Sequence, residues 1–364
     1  MNQEHLRIAM DATPVITGQT GAARYVTALS AALEGRGLDV QRFAIGRAPI
    51  PAPSDVRRVR VPLRVVQRWW RTTSWPPAER LIGRADVVHA TGLTVPPTRL
   101  PLVVTVHDIA ALDRPDLHAS RQVREVAAQV ASLRRASVVI ASSQTTADRL
   151  VARGVDRERI TVVPLGLTPL PEQEAVSADA DGRLIRGPYL LAVGETSPRK
   201  GYITLLRALA RRSADNPRLV IVGPAAGDEL PIRDAIGELQ LEDRVVRLGS
   251  VEDSMLAGLY RGALALCFPS VVEGFGLPVL EALGAGVPVI ASDLPVLREV
   301  GGDAALFVPV GDDEALANAF DAVSDGRLRT RLAAAGRDRA AVFTWERTAE
   351  GTMNVYRRAL ATAG

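Results

Sequence analysis

Short apolar runs alternating with amphipathic helical stretches constrain the fold of this 364-residue chain more than any other feature. Residues 6–10, 86–90, 102–106, 137–141 and 160–163 read as strands. Residues 22–33, 121–135 and 145–152 read as helices, the first with Tyr25, Val26, Leu29 and Leu33 at helical spacing. The strand runs are apolar along their length and do not alternate, the pattern of parallel strands covered on both faces. Strand–helix alternation of this kind predicts a doubly wound α/β domain.

The alternation breaks over 168–187, where two prolines, several acids and small polar residues follow without periodicity, as in a linker. It resumes at 189–193 and continues through 219–222, 244–248, 263–268 and 287–291. The predicted division is a first Rossmann-like domain over 1–170, a linker over 171–187 and a second such domain over 188–345. A last helical stretch over 346–364, after Trp345, is placed to cross back to the first domain. The length supports two such cores.

Composition removes several function classes. Charged residues at 23% and hydrophobic residues at 47% are ordinary for a soluble globular enzyme. A lone Cys267 excludes an internal disulfide framework and a cysteine-rich zinc site. With 44 Lys+Arg against 41 Asp+Glu, the net charge of +3 is too small to argue for a nucleic-acid partner. No apolar stretch approaches the ~20 residues of a membrane span. The apolar run that opens at Leu6 is too short for a signal peptide, so the expected location is the cytoplasm.

In open α/β sheets ligands bind beyond the carboxyl ends of the strands. Two such domains facing a cleft would place the chemistry in loops that follow strands. The first of these, Thr17 to Ala22, contains Gly18 and Gly21 and leads into a helix. Its glycines would let the backbone approach a phosphate at the helix N-terminus, although they suit an ordinary turn equally. The spacing of a dinucleotide fingerprint or a Walker loop is missing. His107 and Asp108 follow the strand at 102–106, where a histidine can donate to a sugar hydroxyl and a carboxylate can accept or act as a base. A capping pair at a strand end is the alternative. His5, His89 and His118 show no metal-ligand spacing and carry little weight.

Lys200 is the only lysine in the chain. It stands with Arg199 after the strand at 189–193, at the entrance of a helix, where two exposed loop cations can clamp a pyrophosphate or simply be solvated. The strongest local pattern is Glu273-Gly274-Phe275-Gly276-Leu277-Pro278-Val279-Leu280-Glu281. Gly274 and Gly276 open the backbone, and Pro278 suits a helix start. Two carboxylates thus flank a helix N-terminus. The N–H groups can meet a phosphate while the carboxylates hold sugar hydroxyls and a ribose diol. An acidic helix start stabilised by its dipole accounts for one glutamate but not for the Gly-Phe-Gly loop. A basic, tryptophan-rich segment from Arg57 to Trp75 suits either a peripheral membrane contact or a partly buried helix with solvated arginines.

At these residues the chain resembles the retaining glycosyltransferases of family 4, which have the two-domain GT-B fold. Glu273 and Glu281 match that family's E-x7-E motif. Val104–Asp108 matches its "VTVHD" strand end, and Gly21, Arg24, Tyr25, Val26 and Leu29 match its opening pattern. Residues 142–166 and 193–209 are similar to two further segments, so the resemblance runs through nearly the whole chain in order. Three positions depart from it: Thr168 replaces a common aspartate, Glu195 replaces a common arginine, and Gly201 replaces a common asparagine.

The resemblance implies a donor-binding second domain and an acceptor-side first domain. By it, Glu273 contacts the donor sugar hydroxyls, Glu281 the ribose, and Arg199 and Lys200 the diphosphate. Gly274 belongs to the donor-binding loop, the amides of Phe275, Gly276 and Leu277 position the sugar and phosphate, and the Gly21 loop closes over the diphosphate. His107 meets the transferred sugar, and Asp108 lies on the acceptor side. The expected reaction is retaining transfer of a hexose, from GDP-mannose first and UDP-hexoses next, to a glycan, lipid-linked or small-molecule hydroxyl, without cofactor. Negative charge developing on the diphosphate suits a cationic clamp. No divalent metal is expected, because the only Asp-x-Asp, Asp179-Ala180-Asp181, falls in the linker. A sugar-nucleotide epimerase or phosphorylase, or a non-catalytic sugar-binding protein, are the competing readings.

Overall fold

The structure, a computed structural model, describes residues 6–18, 21–46, 53–73, 75–92, 94–174, 187–212, 217–226 and 229–362. Gln19 and Thr20 of the first loop, most of the predicted linker, and Asp179 and Asp181 lie outside the described residues.

The chain forms two compact units, residues 1–168 with 343–364, and residues 169–342. The first contains β1 (Arg7–Asp11), β2 (Asp39–Ile45), β3 (Val56–Val59), β4 (Val87–Ala90), β5 (Leu102–Val106), β6 (Val138–Ala141) and β7 (Ile160–Val162). These pair in the order β3-β2-β1-β4-β5-β6-β7, every pair parallel. The second unit contains β8 (Tyr189–Val193), β9 (Arg218–Val222), β10 (Val245–Gly249), β11 (Ala265–Phe268), β12 (Val289–Ser292) and β13 (Ala305–Val308). Their order is β10-β9-β8-β11-β12-β13, again all parallel. Each sheet therefore has one switch point, between β1 and β4 in the first and between β8 and β11 in the second. Ligands of open parallel sheets bind at the carboxyl side of such points.

Burial explains which strands stand out in the sequence. The inner strands β4, β5, β6, β11 and β12 are buried along their whole length, which favours nearly continuous apolar runs. Toward the edge, β2 and β3 expose Asp39 and Arg57 and leave Gln41 and Arg58 half-buried, and so lack that pattern. Neither strand is predicted from the sequence, nor is edge strand β13. Each unit packs its own core, the first around Val88, Val104, Val139 and Leu150, the second around Leu190, Leu206, Leu219 and Ile290.

The basic tryptophan segment is a strand followed by a helix. Arg57 and Arg58 lie in β3, and the helix Leu63–Thr72 follows. The helix buries Val66 and Trp70, whose Nε1 donates to the Pro76 carbonyl at 2.9 Å. It leaves Val65 and Trp69 exposed, and Trp75 beyond it is 54% exposed.

The terminal helix, Trp345–Ala361, belongs to the first unit. It is sewn there by Leu167 N–H to Phe343 O at 2.8 Å and by Thr348 Oγ1 to Pro164 O at 2.9 Å. Gly166 permits the close approach, since a Cβ there would collide with the Trp345 backbone and ring. Tyr356 projects into the core, where its hydroxyl meets His89 Nδ1 at 2.8 Å. His89 Nε2 meets Thr105 Oγ1 at 2.8 Å, and Thr105 meets the Tyr25 hydroxyl at 2.9 Å. All four residues are buried, so the chain of bonds ties the terminal helix to β4, β5 and helix Gly21–Glu34.

Tyr356→Phe keeps the ring but leaves one nitrogen of a buried imidazole without a partner. The expected loss of unfolding free energy is about 1–3 kcal/mol, read from urea denaturation. A loss near zero would mean that water replaces the hydroxyl.

Candidate active site

In the second unit, the loop after β8 runs from Gly194 into a short 3-10 turn, Pro198–Lys200. Gly201 ends the turn in the left-handed region at φ 69°. A Cβ at Gly201 would collide with the Pro269 carbonyl, so glycine is required on both counts. This explains the departure from asparagine in the family pattern. The close approach joins the loop after β8 to the loop after β11, and Val271 N–H donates to Arg199 O across it at 2.8 Å.

That contact assembles a charged cluster. Lys200 Nζ lies 2.6 Å from Glu273 Oε1, and Arg199 Nη1 lies 3.3 Å from the same oxygen. Arg199 also pairs with Glu195 at 3.0 Å. Lys200 sits over the Phe268 ring, 4.6 Å from its centroid. Both Lys200 and Glu273 are buried, at 8% and 6% exposure. Burial pushes the Glu273 carboxyl up, but the charges of Lys200 and Arg199 and hydrogen bonds from Lys200 and Ser270 outweigh it, so its pKa is lowered. The expectation that Lys200 is an exposed loop cation is therefore corrected. It is a buried partner in an ion pair, and the Gly201 turn is what carries it inward.

Gly276 caps the helix Leu277–Gly284 with φ 104°, and Pro278 stands in the first turn. Phe275 is buried beside it, and Gly274 precedes it in the loop from Glu273. Glu281 lies on the helix, buried, with Oε2 accepting from the Tyr260 hydroxyl at 3.0 Å. Glu273 and Glu281 thus bracket one helix N-terminus at the switch point of the second sheet.

In the first unit, His107 follows β5, one strand beyond the switch point between β1 and β4. Neither ring nitrogen makes a hydrogen bond of good geometry with a described residue, although both are buried. Burial pushes its pKa down to about 4, with the Thr91 backbone pulling the other way. The Tyr25 ring meets it edge-on at 4.6 Å. A neutral imidazole offers one donor and one acceptor, the complement of a hydroxyl. Asp108 Oδ1 accepts from Ala110 N–H at 2.6 Å and so holds the turn that follows. Gly21 begins the helix Gly21–Glu34.

Two groups escaped the sequence reading. His89, given little weight there, is the centre of the buried network. Its pKa is pushed down to about 3 by burial, and then by neighbouring His107. Asp11 closes β1 and is buried, with Oδ1 accepting from the Thr13 N–H at 2.9 Å and hydroxyl at 2.5 Å. Burial pushes its carboxyl up to about 6. A carboxylate ending an apolar run was the available signal. Asp11, Thr91 and His107 share the carboxyl edge of the first sheet.

Two doubly wound parallel units, with a cationic cluster and helix N-terminus at one switch point, define a GT-B glycosyltransferase. The model for "Glycosyl transferases group 1" matches residues 182–339, and that for "Glycosyltransferase Family 4" matches residues 19–169. The chain is 31% identical to the MMP alpha-(1->4)-mannosyltransferase of Mycolicibacterium hassiacum over 349 residues, covering 86% of this chain and 82% of that protein. Its fold matches sucrose-phosphate synthase from Thermosynechococcus elongatus with a TM-score of 0.78 at 24% identity, over 98% and 100% of the two chains. It matches Anabaena HepE in complex with UDP and glucose with a TM-score of 0.73 at 20% identity, over 96% and 99%. The chain belongs to the group 1, family 4 glycosyltransferases, whose members act with retention.

Lys200→Ala strands a buried carboxylate that Arg199 only partly compensates. An unfolding free-energy loss of about 2–4 kcal/mol is expected, and adding Glu273→Gln should recover most of it in urea titrations. Additive losses in the double variant would mean that the two side chains are not coupled.

Stability should also fall with acid. His89 and His107 have folded pKa values below the ~6.5 of the unfolded chain, so below that pH the unfolded state binds more protons and gains. Asp11 has a raised folded pKa, so protonating it below about 6 returns part of the loss. At roughly 1.4 kcal/mol per pH unit per group, unfolding free energy should drop by about 3 kcal/mol from pH 7 to pH 5. A flat urea-unfolding profile across that range would place the histidines in solvent.

Proposed function

We propose that the enzyme moves a hexose from a nucleoside-diphosphate sugar to a hydroxyl of a glycan, lipid-linked or small-molecule acceptor. GDP-mannose is the first donor and UDP-hexoses are next. The observation that carries this reading is the Arg199–Lys200–Glu273 cluster against the N-terminus of helix Leu277–Gly284. A diphosphate suits that place because two cations and a helix terminus meet its charge. The mannosyl relative favours mannose, and the UDP and glucose bound to the HepE structure favour the second choice.

In this reading Arg199 and Lys200 hold the diphosphate, and Glu273 accepts hydrogen bonds from the sugar hydroxyls. The backbone from Gly274 to Leu277 positions the sugar and phosphate, and Glu281 takes the ribose diol. The loop at Gly21 closes over the phosphates. Neutral His107 bonds a sugar hydroxyl, and Asp108 lies toward the acceptor. As the bond from the anomeric carbon to phosphate breaks, the departing oxygen takes the acceptor's proton. The new bond forms on the face that the phosphate leaves, which preserves the anomeric configuration. The cations stabilise charge as it grows on the leaving group, a preorganised effect that needs no metal in this reading. The setting is the cytoplasm, with exposed Trp69 and Trp75 and the neighbouring arginines touching an anionic membrane face.

Thermal shift with GDP and UDP tests the donor, since a ligand of the folded state raises the melting temperature by mass action. Stabilisation by GDP is expected, and a shift with UDP alone would select the UDP-hexose alternative. Transfer should continue in EDTA; loss restored by Mn²⁺ would put a metal in the reaction.

The two glutamates should fail differently. Glu273→Gln should lower kcat by about 100-fold, the scale of removing one preorganised charge, with a smaller change in donor KM. Glu281→Gln should mainly raise donor KM, because a ribose contact is alike in ground and transition states. Identical losses in steady-state kinetics would reverse the assignment.

A further inference from the structure

Arg199 divides its guanidinium between two carboxylates. Nε lies 3.1 Å and Nη2 3.0 Å from Oε1 of Glu195, while Nη1 lies 3.3 Å from Oε1 of Glu273. The Nε–Nη2 edge is a fork of the kind that takes a phosphate. Glu195 therefore stands on an edge that the diphosphate of the proposed donor would use. Ser197 donates its hydroxyl to the same Glu195 oxygen at 3.2 Å, which steadies the carboxylate there. The pattern that this loop resembles has an arginine at position 195, so the contact belongs to this chain and not to the pattern.

Charge decides what must happen when a phosphate arrives. Arg199 and Lys200 bring two positive charges, and Glu195 and Glu273 bring two negative ones, so these four side chains balance. A diphosphate gains from them only if one carboxylate gives up its cation. Glu273 is poorly placed to do so: its side chain is 8% exposed and Lys200 lies 2.6 Å away. Breaking a buried pair strands a charge out of water. The Glu195 side chain is 39% exposed and can turn into solvent when Arg199 leaves it, at the small cost of a surface pair. The Arg199 carbonyl is meanwhile held by the Val271 N–H at 2.8 Å, so the exchange moves a side chain and not the loop.

We infer that Glu195 is a built-in competitor for the diphosphate at Arg199, and that it loosens the hold on the nucleoside diphosphate left after transfer. The inference rests on the donor reading above. Transfer raises the charge of the ligand, because a phosphate that has lost its sugar is terminal and gains most of a further negative charge near neutral pH. Cations without a rival would grip that product harder than the donor, and product release limits turnover in many enzymes. A carboxylate tethered four residues from Arg199 competes at high effective concentration and returns to the guanidinium as the product leaves.

The test is calorimetric titration of GDP and of UDP into wild type, Glu195→Gln, Arg199→Ala and the double variant. Glutamine keeps the shape of the side chain and removes its charge. Binding about fivefold tighter than wild type is expected for Glu195→Gln, the upper scale of a partly exposed ion pair. With Arg199 already alanine, the second change should bring no such gain. In transfer assays the inhibition constant of the nucleoside diphosphate should fall by the same factor in Glu195→Gln. A damaged fold does not produce a gain of affinity. If Glu195 only holds Arg199 in position, Glu195→Gln binds nucleotide more weakly. That result, an unchanged affinity, or an equal gain without Arg199 overturns the proposal and leaves the donor reading intact. Absence of nucleotide binding from all four proteins ends both.

Discussion

Parallel pairing is the constraint on which the rest depends. A parallel strand cannot be reached by a tight turn, so each one needs a crossover, and all carboxyl ends fall on one edge. Where the winding reverses, between β1 and β4 and between β8 and β11, adjacent loops diverge and leave room beyond the strands. The residues singled out for chemistry collect at these two points. Glu273 and Lys200 reach theirs from the loops after β11 and β8, Asp11 reaches its own from β1, and His107 follows β5 one strand further along the same edge.

The second unit shows how backbone conformation sets electrostatics. A buried carboxylate is costly unless cations hold it. Glu273 is held because Gly201 lets two loops touch where any side chain would collide with Pro269. The single lysine gains its meaning from that contact. A guanidinium in its place would have to fit between Phe268 and Glu273, in a space shaped for an ammonium group. Arg199 meanwhile shares itself between Glu195 and Glu273, so the position at which the family pattern changes is tied into the same cluster.

The first unit solves the opposite problem, keeping imidazoles neutral. His89 exchanges hydrogen bonds with Tyr356 and Thr105 inside the core, and His107, half-buried with both ring nitrogens covered, lies at the sheet edge beside Tyr25. Through Tyr356 the last helix of the chain becomes part of the support beneath that edge. The terminal helix therefore stabilises the first unit by polar as well as apolar contact, and Gly166 is the point where the returning chain comes closest.

Much of this was legible in the sequence, for physical reasons. Inner parallel strands are covered on both faces and so are largely apolar, so β4, β5, β6, β8 and β11 announce themselves, and Gly276 with Pro278 marks a helix start because few residues suit that turn. Edge strand β3 and its neighbour β2 carry polar residues and give no such sign, and edge strand β13 is only four residues long. The motif from Glu273 to Glu281 was visible because its chemistry is local. Pairings across distant segments were not: nothing in the order of residues says that Lys200 is buried against Glu273 or that His89 binds Tyr356. Periodicity and local backbone preference act over a few residues and can be read from them, whereas burial and charge pairing depend on which loops the packed sheets bring within a few ångströms, and only the tertiary structure decides that.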